Sequence, residues 1–367
     1  MRLGLFDIFQ VDPLDPATDG EVYRRHLDHL ALSDELGYAV AFTAERHFLP
    51  TYRCPAPFAW LGAASQRTNR IRLGTLAHTL PIHAPAALAE EIAVLDHLTG
   101  GRIEVGLGLG HRSEELVALG LDPRFRAQAY QERLAVLKAL WAGDQVSLET
   151  PLTTVRDLAI HPLPLQRPHP PLWYPGTDPS AAAWAASEGM SLAIGFAPTA
   201  ALRPATRAYA DARRRRDLDR AAADSAGQST DPADAVAHPT RIALMRHVYV
   251  AEDDDRARQE MTDDLRRLHE HLNPGNGTGE GGRADRRREA ADAIAAMSRD
   301  ETVIAGGPET VATKLETARE ALDLDLFLAN PYLAGIDDGR VRRTLSLLAG
   351  VVPGGVTVSE RDVAAVR

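Results

Sequence analysis

Acids, imidazoles and glycines meet at a few places in this chain where type and spacing could support chemistry. Glu45-Arg-His47 sets a carboxylate, a guanidinium and an imidazole side by side, and an imidazole readily gives or takes a proton near neutral pH. His78 and His83 follow, so three histidines and one acid could line a single pocket. A structural imidazole is the competing explanation for each. A metal cluster is a further competitor, although no His-Glu-x-x-His helix or comparable ligand spacing is present, and no metal is expected. Gly106-Leu-Gly-Leu-Gly110 lacks the Gly-x-Gly-x-x-Gly spacing of a dinucleotide loop, and its glycines instead let the backbone pass close to a flat ligand or a neighbouring strand. Gly176-Thr-Asp-Pro-Ser180 is the better anion site. A glycine turn with hydroxyls that enters a helix offers free amides and the positive end of the helix dipole, which suits a phosphate. The same residues also read as a plain cap, with Thr177 or Asp178 capping and Pro179 in the first turn.

These groups need a frame that brings them together. The apolar run 71–75 reads as a strand, 85–98 as a helix with Leu88, Ile92, Leu95 and Leu98 at helical spacing, and 103–107 as a second strand. Pro85 suits the first helical turn, and Gly100-Gly101 ends the helix. The same alternation recurs along the chain. Strands are expected at 2–9, 38–43, 71–75, 103–107, 171–174, 191–194, 242–250 and 324–329, each followed by helical sequence. Eight such units with no break in order predict a single (β/α)8 barrel over residues 1–367 rather than a doubly wound open sheet. Residues 144–161 alternate around a Thr-Pro bend and predict a small hairpin laid across the barrel. Residues 221–239 and 273–285 lose periodicity and read as flexible insertions or lids. In such a barrel, chemistry gathers at the carboxyl ends of strands. That rim would carry Asp7, Glu45 to His47, Leu76 to His78, Gly108 to His111, Gly176 to Ser180 and Asn330 to Tyr332.

Composition narrows the field. A net charge of −10 argues against nucleic-acid binding, and Arg213 to Arg216 read as a solvated helix face. One cysteine, Cys54, permits no internal disulfide. No run is apolar enough to span a bilayer, and the first residues read as a strand rather than a signal sequence, so a cytoplasmic protein is expected.

The ordered motifs Gly37-Tyr-Ala-Val-Ala-Phe-Thr-Ala-Glu-Arg-His-Phe48, Leu80-Pro-Ile-His-Ala-Pro85, Ala89-Glu-Glu-Ile-Ala-Val-Leu-Asp96, Gly100-Gly-Arg102, Pro171-Leu-Trp-Tyr-Pro-Gly-Thr177, Arg246-His-Val-Tyr-Val-Ala251 and Gly306-Gly-Pro-Glu-Thr-Val-Ala-Thr-Lys-Leu315 resemble the bacterial luciferase-like, flavin-dependent monooxygenases. The resemblance implies reduced FMN at the barrel mouth, O2 as co-substrate and oxygen insertion into a small organic substrate. It further implies a separate flavin reductase and a homodimer with the helices after the first three strands in its interface. Carried over by position, the flavin ring lies against Leu76-Ala77, where the family often has a non-proline cis peptide, and the phosphate lies on Gly176, Thr177, Asp178 and Ser180. Asp7, His78, Gly108 and His111 complete the expected cofactor site, and Glu45, Arg46 and His47 the catalytic one. His47 matches the second histidine of the family's Glu-His-His-Phe motif. Arg46 replaces the first, the base of the light-emitting enzymes, which argues against aldehyde oxidation of that kind. Leu109 stands where many members carry an arginine, and Pro175 where they carry a small residue. A deazaflavin-dependent oxidoreductase and a non-catalytic flavin-binding barrel are the alternative readings.

Overall fold

The computed structural model describes residues 1–11, 15–225, 238–272, 301–332 and 336–352, together with residues 292, 296 and 299. Its strands are β1 (Arg2–Asp7), β2 (Val40–Thr43), β3 (Arg72–Thr79), β4 (Ile103–Gly108), β5 (Val146–Glu149), β6 (Thr154–Leu158), β7 (Leu172–Pro175), β8 (Ser191–Gly195), β9 (Ile242–Val250), β10 (Val303–Gly306) and β11 (Leu326–Asn330). Eight of them close a parallel ring in the order β9-β11-β1-β2-β3-β4-β7-β8 and back to β9. This is the expected barrel, strand for strand.

Side chains alternate across each strand, so one set fills the ring and the other meets the helices. Phe6, Phe42, Leu76, Trp173, Ala193, Ala243, Met245, Leu326 and Leu328 pack inside. Leu5, Leu73, Val105, Leu172, Leu244 and Phe327 pack outward with the helix faces. Both faces of each strand are therefore apolar, which is why the strands read as continuous hydrophobic runs. Where large rings point inward, their neighbours must be small. A side chain on Gly74 would put its Cβ 2.4 Å from the Glu104 carbonyl and 2.7 Å from the Phe42 ring. The end of the ring where the strands begin is plugged by charge. Buried Glu104 accepts from Arg72 Nε, Arg241 Nη2 and Trp173 Nε1, each at 2.5 Å.

The helices begin and stop where local chemistry dictates. Helix Asp19–Glu35 opens on a Thr18/Glu21 capping box. Helix Pro85–Leu98 has Pro85 in its first turn and is followed by Gly100 and Gly101 at φ 64° and 80°, which a side chain would resist. Among the described residues no helix is long and apolar enough to cross a membrane.

Four details depart from the sequence expectations. The hairpin β5–β6 forms, but it packs on the helix Arg126–Ala142, with Thr150 Oγ1 donating to Glu132 and Arg133 reaching the Leu152 carbonyl, rather than lying across the barrel. Helix Thr199–Ser225 runs five residues into the stretch 221–239. The remainder of that stretch up to residue 237, and all of 273–285, lie outside the described residues. A short strand not anticipated, β10, adds to the carboxyl half of β9 outside the ring, pairing Val303 with His247. Its four residues are too few to show a period. The arginine run divides: Arg214 and Arg215 are exposed, while Arg213 and Arg216 reach back to the Thr240 and Ala186 carbonyls.

Candidate active site at the barrel mouth

The carboxyl ends of β2 and β3 hold the densest cluster. Glu45, just past β2, is buried, and four groups converge on it. His47 Nε2 and His83 Nε2 each lie 2.8 Å from Oε1, and the Thr79 amide donates to Oε2 at 2.6 Å. His78 Nδ1 lies 2.9 Å from Oε2, but in a direction that makes no hydrogen bond, so both ring nitrogens of this buried histidine are without a hydrogen-bond partner. His78 and His83 stack, with centroids 3.9 Å apart.

Burial opposes the charge on Glu45, but the contacts from His47, His78 and His83 outweigh it and hold the carboxyl well below the usual range. The reciprocal effects differ. The bond to Glu45 raises His47, while complete burial lowers His78. Of these two imidazoles, His47 is the one that carries a proton to higher pH. Its backbone amide is fixed by Glu115 Oε1 at 2.9 Å. Glu115 lies on the short helix Ser113–Ala118, and sequence reasoning gave no sign of it because nothing in its spacing marks a partner for residue 47.

Arg46 faces His111, 3.4 Å from its Nδ1, and sits 5.9 Å from the Tyr52 ring. Burial lowers Arg46, and burial together with Arg46 lowers His111. On β3, the Leu76–Ala77 bond is cis, and the ladder to β4 skips from Thr75–Val105 to His78–Leu107. Leu76 packs into the barrel, and Ala77 lies beside Gly108, where an added Cβ would come within 3.0 Å of Ala77 Cβ and 3.8 Å of Pro175. Ala77, Gly108 and Pro175 thus make a wall of small groups at the ends of β3, β4 and β7.

At the end of β7, Asp178 caps the helix Pro179–Ser187, accepting from the Ala181 amide at 2.9 Å and from Ser180 Oγ at 2.5 Å. These bonds lower its pKa. Gly176, Thr177 and Ser180 stand around it at the surface. The capping reading is therefore satisfied by Asp178, and any phosphate on this loop would share the helix end with a carboxylate.

Asp7 is not brought to the mouth. It points outward from β1, accepting from the Phe9 amide at 2.8 Å and pairing with His26 Nδ1 at 2.6 Å. Beyond His26 lies a cavity of about 40 Å³ lined by Asp15, His29, Tyr332 and Asp338, on the helix side of the strand. Asp7 anchors helix Asp19–Glu35 to the barrel. Tyr332, also expected at the rim, stacks on His26 and lines that same cavity, whereas Glu45, Arg46, His47, Ala77, Gly108 and His111 stand together near the ends of β2, β3 and β4, with His78 buried among them.

Glu45, His78 and His83 also offer three ligand atoms within 4.8 Å of one another, a set that could hold a metal ion. Of these, Glu45 and His83 already bond each other directly, while the ring nitrogens of His78 are left without a hydrogen-bond partner.

The closed parallel ring with polar groups at its carboxyl rim defines a (β/α)8 barrel, a fold in which ligand sites form at that rim. The chain belongs to the luciferase-like monooxygenase family, whose model matches residues 1–324. The oxygenase component of the flavin-dependent trigonelline monooxygenase of Acinetobacter baylyi is 28% identical over 200 residues, 53% of this chain and 54% of that protein. The chain spans 60% or less of the length of the first curated relatives it matches. Among solved structures, the oxygenating constituent of 3,6-diketocamphane monooxygenase of Pseudomonas putida, in complex with FMN, superposes with a TM-score of 0.71 at 18% identity, covering 95% of this chain and 96% of that one. An F420-dependent secondary alcohol dehydrogenase in complex with an F420–acetone adduct gives 0.66 at 18% identity, covering 96% and 98%. At these identities the structural likeness is one of fold.

Proposed function

We propose that this protein is a flavin-dependent monooxygenase that uses reduced FMN and O2 to oxygenate a small organic substrate, as the oxygenase half of a two-component system served by a separate flavin reductase. The observation that carries the reading is the mouth itself in a chain of this family: a wall of small groups at Ala77, Gly108 and Pro175 beside a buried, ionised carboxylate that holds His47.

The residues fit a flavin ring better than its phosphate. The small wall suits a planar ring, and Leu76 lies beneath it. Thr177, Ser180 and the dipole of helix Pro179–Ser187 would hold the phosphate, against the charge of Asp178. When bound, reduced FMN supplies the electrons for activating O2 and transferring one of its oxygens. The protein's own contribution is orientation and proton control. Glu45 fixes the His47 ring through Nε2, leaving Nδ1 to exchange a proton at the mouth, and keeps that proton available to higher pH than an isolated imidazole would. Arg46 and His111 add a cation and a neutral imidazole at the same rim.

A homodimer agrees with Val94 and Leu98, which are 46% and 54% exposed on the helix that follows β3. Titration with FMN, followed by oxygen uptake with reduced FMN, tests the reading. Tight FMN binding and substrate-dependent oxygen consumption are expected. Binding of F420 with no uptake of FMN would turn the assignment to a deazaflavin oxidoreductase, whose support is a likeness of fold. FMN binding with oxygen consumption no faster than that of free reduced flavin, whatever the substrate, would make it a non-catalytic barrel.

A further inference from the structure

Across the ring from the small-residue wall lies a second set of groups that the reading above leaves unused. In an eight-strand ring the strand four places away is the opposite one, so β9 faces β3 and β11 faces β4. His247 of β9 and Asn330 of β11 are direct register partners. Both fall in the inward-facing series of their strands, His247 after Ala243 and Met245, and Asn330 after Leu326 and Leu328. Each is the last inward residue before its strand leaves the ring ladder, which places the pair at the mouth.

Both carry an unmet hydrogen-bonding atom. Asn330 is fully buried, its Oδ1 accepts from the Tyr332 amide at 3.0 Å, and its Nδ2 has no partner. That backbone bond fixes which end of the amide is the donor. His247 Nδ1 is likewise buried without a partner, and burial lowers the imidazole to about 4, so it is neutral. Nδ1 of a neutral imidazole donates in one of its two tautomers, the one that would match the Asn330 donor beside it; unpartnered buried polar atoms in native proteins call for an explanation, and a missing shared acceptor is the simplest. Phe196 closes the side. It follows β8 with φ 52°, is 40% exposed as a residue, and its ring lies 5.0 Å from that of His247 and 6.2 Å from that of Phe6 by centroids. An L-residue held in the left-handed region with an exposed apolar ring is a feature met at ligand clamps.

We propose that His247 and Asn330 form the polar end of the substrate subsite, donating from Nδ1 and Nδ2 to one carbonyl oxygen of an otherwise apolar molecule whose body rests on Phe196. The inference rests on the flavin reading, since it places substrate and flavin on opposite sides of one mouth. A carbonyl oxygen has two lone pairs and no proton, so one atom satisfies both donors. A site built this way rejects the analogue that lacks the acceptor, because the donors are then left unpaired.

The test uses the full chain with FMN bound and two ring-matched probes, cyclohexanone and methylenecyclohexane, titrated by calorimetry or ligand-observed NMR. The ketone should bind at least about tenfold tighter. His247→Phe and Asn330→Leu, made separately, should each bring that preference below about threefold while FMN uptake stays unchanged. Two positions guard against one variant failing to fold. Equal binding of the two probes, uptake of neither, or a preference that survives both substitutions overturns the proposal. So does loss of FMN uptake in the folded variants, which would assign the donors to the flavin. If the wild-type protein takes up no FMN, the flavin reading fails by itself, and the same two probes on the flavin-free protein still decide the subsite.

Discussion

Replacing Glu45 by Gln keeps the shape of the side chain and removes only its charge and one acceptor. The wild-type carboxylate has no exposed side-chain surface and receives Thr79 N at 2.6 Å, His47 Nε2 and His83 Nε2 at 2.8 Å and the His78 Nδ1 contact at 2.9 Å. In the variant one of the two oxygens becomes an NH2 group and faces donors. Hydrogen bonds to a charged group contribute about 1.5–3 kcal/mol each, and breaking a buried charged pair costs about 3–5 kcal/mol. Because the histidines can change tautomer to meet the new donor, the lower end applies, about 3 kcal/mol. At about 2 °C per kcal/mol for a large domain, Tm should fall by about 6 °C at neutral pH.

The pH dependence supplies a signature that loss of packing would not. The folded pKa of Glu45 is depressed, so its stabilisation is present above its ordinary value of 4.5 and is lost as pH falls toward the folded value. The gap in Tm between wild type and Glu45→Gln should therefore narrow below about pH 4.5. His47, raised chiefly by its bond to Glu45, should titrate at lower pH in the variant, read from its imidazole resonance in NMR. A Tm within 2 °C of wild type together with an unmoved His47 titration would refute the idea that Glu45 organises this rim.

Three further expectations follow from other parts of the molecule. Asp178→Asn preserves the cap on helix Pro179–Ser187 but removes the charge beside the phosphate loop, so FMN should bind severalfold tighter while riboflavin is unaffected; equal changes for both would take the phosphate off this loop. His169 and His247 are held neutral to about 4, and His29 and His78 are lowered by burial, so the folded state binds fewer protons than the unfolded one as pH falls below 6.5. Stability should drop between pH 6.5 and 4, by up to about 3 kcal/mol for each of the first two, and a urea midpoint that stays flat over that range would contradict the burial argument. If hydrogen bonds satisfy the Glu45 cluster, the purified protein should carry well under one equivalent of zinc and keep its Tm in EDTA; a full equivalent that disappears in His83→Ala would replace the proton-relay reading with a metal centre.

What was legible in the sequence was set by local physics. Strands covered on both faces must be apolar throughout, and helices between them must stop at Gly37, Gly100-Gly101 and Gly143, so the eight ring strands could be read directly from residue types. The capping of residues 178–181 was legible for the same reason, since every participant lies within four positions. The site was legible by membership but not by orientation. Asp7 sits at a strand end, as a rim residue should, yet one step of alternation turns it outward to His26, and no pattern in residues 2–9 marks which of Phe6 and Asp7 faces the ring. Glu115 and the His247–Asn330 pair depend on contacts 68 and 83 residues apart, which periodicity cannot reach.

The substitution at position 46 has a consequence that follows from acid–base chemistry alone. A guanidinium stays protonated throughout the working range of an enzyme, and although burial lowers Arg46, nothing brings it near neutrality, so it cannot take a proton as an imidazole in its place would. It can only supply charge or a donor. Proton transfer at the rim of β2 then falls to His47, whose ring is held by Glu45 and whose affinity for a proton that bond raises. Arg46 also lies toward His111 and the carboxyl end of β4, just past which Leu109 carries no charge while Arg112 Nη1 reaches the His47 carbonyl at 3.5 Å. Positive charge at this mouth is thus contributed by Arg46 after β2 together with Arg112 after β4, and Arg46→Met should weaken an anionic flavin more than a neutral one. His47→Ala should instead slow turnover more than it weakens flavin binding, and an Arg46→Met protein that lost turnover while binding FMN unchanged would reverse these two assignments.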